Sequence, residues 1–134
     1  MSTRVLIRVD GAARGNPGPA AIGAVIQDEK GKVLACLSQR IGSATNNQAE
    51  YLALIAGLER AVSLGATRVS VYSDSDLLVN QITGRYKVKN SLLRDLYQKV
   101  VRLIGSLEKF EISCVPREQN TAADNLANRA LDSN

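Results

Sequence analysis

The chain has 134 residues, with 17 Lys and Arg, 13 Asp and Glu and no His, which gives a formal net charge of +4. This length suits a single domain spanning residues 1–134, and 45% hydrophobic residues are enough for one core. Because imidazole is absent, a Ser-His-Asp triad, a Cys-His nucleophile pair and a His-based zinc site are excluded. Any acid–base chemistry must use carboxylates, Lys, Tyr, Cys or water bound to a metal.

The first third of the chain predicts three strands. Apolar and polar residues alternate over residues 4–10, as in a strand with one buried face. Residues 11–19 are rich in Gly, Asn and Pro and predict a loop. Two further apolar runs, at 21–27 and 32–39, flank the turn-forming residues 28–31 and therefore predict a β-hairpin.

The rest of the chain alternates helices and strands. Apolar residues recur every three or four positions over residues 46–64, which predicts a long amphipathic helix that ends at Gly65. The order βββαβαβα predicts an α/β fold in which a five-stranded mixed sheet is flanked by helices. The later elements are a strand at 68–73, a short helix through 77–82, a helix at 91–107, a strand at 110–115 and a helix at 121–131.

Four acidic residues lie at positions typical of a functional site. Right-handed crossovers make the first, fourth and fifth strands parallel, so that their C-terminal ends share one edge of the sheet. Asp10 and Asp74 follow two of these ends, where open α/β sheets place their sites. Glu50, in the first turn of the long helix, and Asp124, early in the last helix, are the other two candidates.

Each of these residues also has a structural interpretation. Asp10-Gly11 is typical of a turn, and Asp74 could cap the following helix. Gathered in one place, however, carboxylates repel one another unless a divalent cation neutralises them. Two such ions support phosphoryl transfer without histidine. The structural interpretations of Glu50 and Asp124 are capping pairs, formed by Asn47 with Glu50 and by Thr121 with Asp124.

Positive charge is concentrated in residues 85–102, the basic segment, where six basic residues and one acidic residue give a net charge of +5. A basic segment on a near-neutral body favours a polyanionic partner, because each Lys or Arg placed on a phosphate releases counterions. A solvated helix face is the alternative. Together with the proposed metal site, this segment points to a nuclease. Its basic residues are Arg85, Lys87, Lys89, Arg94, Lys99 and Arg102.

Four motifs resemble those of ribonuclease H type 1, in the same order. They are DGAARGNPGP at 10–19, TNNQAE at 45–50, YSDS at 72–75 and NTAADNLA at 120–127. The resemblance covers residues 4–131 and implies an RNase H-like fold. It also implies an endonuclease that cleaves the RNA strand of an RNA/DNA hybrid and leaves 5′-phosphate and 3′-hydroxyl ends.

The resemblance further implies two Mg²⁺ ions, for which Mn²⁺ could substitute. Asp10 would bridge both ions, Asp124 would help hold the ion that activates water, and Glu50 and Asp74 would hold the second ion. A non-catalytic module that binds the hybrid, and another metal-dependent nuclease on the same fold, are the alternatives.

Several residues match the substrate contacts of this family. Asn16 and Asn46 correspond to contacts with the RNA strand, where an amide can donate to and accept from a ribose 2′-hydroxyl. Thr45 and Asn47 correspond to a pocket for a DNA phosphate. The structural alternatives are a turn position for Asn16 and helix caps for Asn46 or Asn47. Arg85, Lys87 and Lys89 are further candidates for binding the substrate.

The chain departs from the family pattern in three places. Residues 117–119 occupy a loop in which many members carry a His, and Glu118 is the nearest titratable substitute. Only residues 84–90 stand where some members have an extended basic protrusion. Asp76 stands where members often have a Gln that faces the RNA minor groove. We therefore expect a short form of ribonuclease H.

Location and partners are expectations from composition. No run of about 18 apolar residues occurs, and charged residues interrupt residues 1–10, so we expect no membrane span, no signal peptide and a cytoplasmic location. Cys36 and Cys114 fall in apolar strands and are expected to be buried and reduced. No obligatory protein partner is indicated, and we expect a monomer.

Overall fold

The computed structural model describes residues 3–133, which form five strands and four α-helices. The strands are β1 (Arg4–Ala13), β2 (Gly18–Asp28), β3 (Val33–Ala44), β4 (Arg68–Ser73) and β5 (Lys109–Cys114). The helices are α1 (Asn46–Ser63), α2 (Asp76–Ile82), α3 (Ser91–Gly105) and α4 (Thr121–Asp132), and a short 3₁₀ turn at Arg117–Gln119 precedes α4.

The strands form one mixed sheet in the order β3-β2-β1-β4-β5. β1 and β2, and β2 and β3, pair antiparallel, whereas β1 with β4 and β4 with β5 pair parallel. The predicted α/β fold with a five-stranded mixed sheet is therefore confirmed. The C-terminal ends of the parallel strands lie at the same edge, as right-handed crossovers require.

Helices cover both faces of the central strands. The backbone of α1 at Gly57 lies against Ile7, Val9 and Ala24, which belong to the main hydrophobic core. α4 packs on the opposite face of β2, at Gly23, the residue next to Ala24. Asp10 follows Val9 on β1, so its side chain points to the face that α4 covers.

Several strands run further than the sequence predicted. β1 continues past Asp10 because Gly11, Ala12 and Ala13 pair with β2, so the interpretation of Asp10-Gly11 as a turn is wrong. The loop that follows shrinks to residues 14–17. β3 continues to Ala44 although its residues are mostly exposed, because pairing with β2 stabilises this edge strand.

The prediction that both cysteines are buried is wrong. Cys36 and Cys114 are free and exposed. Cys36 lies in β3 and Cys114 in β5. These are the two edge strands of the sheet, and many of their side chains are exposed to solvent. Within residues 3–133, no helix has the length and apolar character needed to cross a membrane.

The contact between α4 and β2 leads to a stability prediction. A Cβ at Gly23 would lie 2.1 Å from the carbonyl oxygen of Ala123, so Gly23→Ala forces α4 away from the sheet. We expect the free energy of unfolding in urea to fall by about 1–3 kcal/mol. Gly105→Ala is the matched control, because a Cβ there meets no atom within 4 Å. Equal stability of the two variants would contradict the prediction.

Candidate active site

Four carboxylates from separate elements line one cavity of about 560 Å³ at the C-terminal edge of the parallel strands. Asp10 is on β1, and Asp74 lies between β4 and α2. Asp124 is in the first turn of α4. Glu50 is the fifth residue of α1 and thus belongs to its second turn, not to its first as predicted.

Three of the carboxylates form a tight group. One carboxylate oxygen from each of Asp10, Glu50 and Asp74 lies within 4.8 Å of the others. Asp10 and Glu50 are 7% and 9% exposed, so water screens their charges poorly. Asp124 is outside this group, but its side chain contacts that of Asp10. Asp10 therefore belongs to the group of three and also contacts Asp124.

The N-terminus of α1 is capped without Glu50. Thr45 is the N-cap, and its hydroxyl accepts a hydrogen bond from the Gln48 backbone N–H at 3.1 Å. The Gln48 side chain accepts from the Thr45 backbone N–H at 2.8 Å, which completes a capping box. The predicted capping pair of Asn47 and Glu50 is therefore wrong, and the Glu50 carboxylate is available to the cavity.

The other structural alternatives for the acidic residues are also wrong. Ser75 caps α2 by accepting from the Leu78 backbone N–H at 3.2 Å, so Asp74 is not the cap. Asn120 is the N-cap residue of α4, and no side-chain capping bond forms there. The Asp124 side chain is thus free of the predicted pairing with Thr121 and faces Asp10 instead.

Gly11 brings β1 close enough to α1 for this arrangement. A Cβ at Gly11 would lie 2.2 Å from the carbonyl carbon of Ala49, a distance that no side chain tolerates. Its backbone N–H donates a short hydrogen bond to Oε1 of Glu50. The sequence indicated only a turn glycine here, because the contact joins residues 39 positions apart.

Burial and mutual repulsion raise the affinity of the group for protons. Burial is the largest cause that raises the pKa of Asp10 far above its ordinary value, and the charge of Glu50, the contact with Asp124 and the charge of Asp74 add to it. Burial also raises the pKa of Glu50, while the hydrogen bond from Gly11 partly opposes the shift. Such a group is stabilised by a bound positive charge.

The donor set fits a hard divalent cation. Every candidate ligand is a carboxylate oxygen, which is the donor that Mg²⁺ and Mn²⁺ prefer. Burial and charge repulsion together raise the pKa of Asp10, and such an ion would relieve the repulsion. The residues that could hold it are Asp10, Glu50 and Asp74, with Asp124 adjoining Asp10.

Asn16 and Asn46 connect the loop after β1 to the start of α1. The Asn16 Oδ1 accepts from the Asn46 backbone N–H at 3.1 Å, and the Asn46 Oδ1 accepts from the Ala13 backbone N–H at 3.0 Å. Neither Asn46 nor Asn47 caps the helix, and both line the cavity. Within residues 3–133, the Nδ2 groups of Asn16 and Asn46 have no hydrogen-bond partner, so both remain available as donors.

The structure places the basic segment apart from the carboxylates. Lys87, Lys89 and Arg94 line a second cavity of about 450 Å³ together with Tyr86 and Tyr97. Arg85 is exposed just after α2. The sequence-predicted substrate residues therefore fall into two regions, one around Asn46 beside the carboxylates and one between α2 and α3.

Sequence reasoning missed Arg117 as a member of the first cavity. Its guanidinium Nη2 lies 3.6 Å from Oδ1 of Asp124, and its side chain is 77% exposed. Ser75 was also missed, although its side chain contacts Glu50 and partly opposes the rise that burial causes in the pKa of that carboxyl. Glu118 is exposed in the 3₁₀ turn, and Asp76 is exposed at the start of α2. Neither Glu118 nor Asp76 lines the first cavity.

The charge repulsion leads to a prediction for the metal-free protein. Folded Asp10 binds its proton more tightly than unfolded Asp10, so this group lowers stability as the pH rises above its ordinary pKa of 3.8. Asp10→Asn should therefore raise the free energy of unfolding at pH 7 in the presence of a chelator. We expect a gain of at least about 1.4 kcal/mol, the equivalent of one pKa unit.

Urea unfolding at pH 7 and at pH 4 measures this effect, and the gain should shrink at the lower pH. Asp95→Asn, at an exposed position of α3, is the matched control and should change stability little at either pH. A loss of stability in Asp10→Asn at pH 7 would show that the carboxylates do not repel one another as the geometry indicates.

Comparisons with known proteins agree with this geometry. A family model described as "Reverse transcriptase-like" matches residues 8–130. The chain is 50% identical over 130 residues to the "Bifunctional protein Rv2228c" of Mycobacterium tuberculosis, covering 96% of this chain and 36% of that protein. It is 44% identical over 129 residues to "Ribonuclease HI" of Halobacterium salinarum, covering 96% and 65%. The chain thus spans about a third of the length of the mycobacterial relatives.

Solved structures support the same relationship. The RNase H1 of Halobacterium salinarum superimposes with a TM-score of 0.94, at 44% identity, covering 96% of this chain and 98% of that one. LC11-RNase H1 in complex with an RNA/DNA hybrid gives a TM-score of 0.91 at 44% identity, with 96% of each chain covered. Motif order, sheet topology and these matches converge, and the chain belongs to the ribonuclease H type 1 family.

Proposed function

We propose that the protein is an endonuclease that hydrolyses the RNA strand of RNA/DNA hybrids, with Mg²⁺ or Mn²⁺ held by four carboxylates. The observation that carries this proposal is the group formed by Asp10, Glu50 and Asp74, whose carboxylate oxygens lie within 4.8 Å of one another. In a protein that only binds nucleic acid, such a group would lower the affinity, because carboxylates repel the phosphates. A relative of known structure, LC11-RNase H1, binds an RNA/DNA hybrid.

In the proposed reaction, water adds to a phosphorus atom of the RNA strand and the bond from phosphorus to the 3′-oxygen breaks. Bound divalent ions supply charge stabilisation for such a displacement. Asp10, Glu50, Asp74 and Asp124 provide the ligands. Arg117 lies beside Asp124, where its guanidinium can stabilise negative charge on the phosphate.

Asn16 and Asn46 support selection of the RNA strand. Their Oδ1 atoms are engaged within the protein, which leaves the Nδ2 groups to donate toward the substrate. The ribose 2′-hydroxyl is the acceptor that distinguishes RNA from DNA. We assign the DNA phosphate to Thr45 and Asn47 at the start of α1, where backbone N–H groups and the helix dipole favour an anion.

Cleavage of matched substrates tests the proposed function. With Mg²⁺, labelled RNA/DNA hybrid should be cut in its RNA strand, and duplex DNA should not. Asp10→Asn removes the carboxylate that belongs to the group of three and also contacts Asp124. We therefore expect the cleavage rate to fall at least about 100-fold. Glu29→Gln, at an exposed position of the turn between β2 and β3, should leave the rate unchanged. Hybrid that is bound but never cut would support a binding module instead, and cutting that survives Asp10→Asn would refute the proposed mechanism.

A second prediction concerns the basic segment. The double variant Lys87→Ala, Lys89→Ala removes two cations from the cavity beside α3. Hybrid affinity should fall, and the slope of log affinity against log salt should decrease in magnitude by roughly 1–2. The rate at saturating hybrid should not change, because the carboxylates are untouched.

The matched control is the double variant Lys30→Ala, Lys32→Ala. Both lysines are exposed at the turn between β2 and β3. This turn lies beside the start of β1, at the end of the strand opposite to Asp10. Fluorescence anisotropy with hybrid, in metal-free buffer over a range of salt concentrations, measures both variants. An identical salt slope for the two would show that the basic segment does not contact the substrate.

A further inference from the structure

Asn120 occupies a position that its role as a helix cap does not explain. It is the N-cap residue of α4, where an Asn side chain ordinarily accepts a hydrogen bond from the first turn. Here the side chain makes no capping bond. Its Nδ2 instead donates to the carbonyl oxygen of Val9 at 2.9 Å, across 111 residues of sequence, and the residue is fully buried.

This hydrogen bond joins the two backbone segments that carry Asp10 and Asp124. Val9 directly precedes Asp10 on β1. On the other side, the backbone oxygen of Asn120 accepts from the Asp124 backbone N–H at 3.1 Å. A single side chain therefore links the strand that holds Asp10 to the helical turn that holds Asp124.

The link lies where β4 ceases to pair with β1, although β2 still pairs with β1 on its other side. The parallel pairing of β1 with β4 ends at Arg8 and Tyr72, one residue before Val9. Asn120 supplies a hydrogen bond to β1 just beyond that last pair. A weaker contact reinforces it, because the Arg8 guanidinium lies 5.0 Å from the centre of the Tyr72 ring and donates to the Gln119 carbonyl oxygen at 3.3 Å.

Stability alone does not account for an Asn at this position. Its Oδ1 is buried and has no hydrogen-bond partner within residues 3–133. An unpartnered buried amide oxygen is unfavourable, and such violations are expected where a residue serves a functional site. The side chain retains the one donor that Val9 needs, and it is neutral, so it adds no charge beside the carboxylates.

We propose that Asn120 is a positioning residue that sets the distance between Asp10 and Asp124, and through it the affinity of the site for a divalent cation. The inference rests on the proposed function, because it takes these two carboxylates as cation ligands. Asn120 does not touch the cation or the substrate. It acts through the two segments that it joins, as residues behind the ligands of a metal site do.

The test measures cation binding separately from cleavage. Isothermal titration of the substrate-free protein with Mn²⁺ should show that Asn120→Ala binds the ion at least about tenfold more weakly than the wild type. In cleavage assays the same variant should need more metal and show a lower kcat, with KM for the hybrid unchanged. Asn120→Ser, whose hydroxyl can still donate, should lose less cation affinity than Asn120→Ala.

Asn90→Ala is the matched control. Asn90 is the N-cap of α3, where its Oδ1 accepts from the backbone N–H groups of Leu92 and Leu93, so this variant also loses a helix-start Asn. It lies away from the carboxylates and should bind Mn²⁺ as the wild type does. Thermal unfolding shows whether the Asn90 and Asn120 variants are equally destabilised.

The outcomes separate the two proposals. Unchanged Mn²⁺ affinity in Asn120→Ala, or an equal loss in Asn90→Ala, would overturn the role of Asn120. Unfolding of both Asn120 variants at 25 °C would overturn it as well, because Asn120 would then hold the fold as a whole. A wild-type protein that binds Mn²⁺ but does not cut hybrid would refute the proposed function, while the binding comparison would still decide the role of Asn120.

Discussion

The repulsion among buried carboxylates is the constraint on which the rest of the structure depends. Asp10 and Glu50 are nearly inaccessible to water, and Asp74 lies within 4.8 Å of both. The charges of these carboxylates repel one another, so the backbone must hold them together. β1 does so from the centre of the sheet, where packing against α1 on one face and α4 on the other outweighs the electrostatic cost.

The helices that carry the carboxylates are anchored by groups other than the carboxylates. α1 starts with the Thr45 capping box, and α2 starts with Ser75. The C-terminal half of α4 is held by Arg40 of β3, which donates to the Ala130 and Leu131 carbonyl oxygens at 2.9 and 3.1 Å. Since other residues cap α1 and α2 and hold α4, the acidic side chains are left for the cavity.

Local sequence patterns predicted most of the fold, whereas contacts between residues far apart in the sequence could not be predicted. The strand at residues 68–73 and the start of the helix at residue 46 match the structure, because alternation and capping residues are local patterns. Topology alone placed Asp10 and Asp74 at one edge, whereas Glu50 and Asp124 were assigned to the same site through the resemblance to the family motifs. The contacts of Gly11 with Glu50 and of Asn120 with Val9 could not be predicted, since they join residues 39 and 111 positions apart. The cysteines were misplaced because an apolar run does not reveal whether its strand is at the edge of the sheet.

The acidic and basic side chains lie in separate cavities, and this separation fits the polyanionic substrate proposed above. The carboxylates repel phosphate, so the cavity that would perform the chemistry contributes little electrostatic affinity on its own. The cationic side chains of Lys87, Lys89 and Arg94 line a different cavity and do not neutralise the carboxylates. Under the proposed function, affinity and chemistry would therefore belong to different regions. Two arginines line the acidic cavity: Arg14, which pairs with Asp132, and Arg117, which lies next to Asp124 and close to the segment that Asn120 fastens to β1.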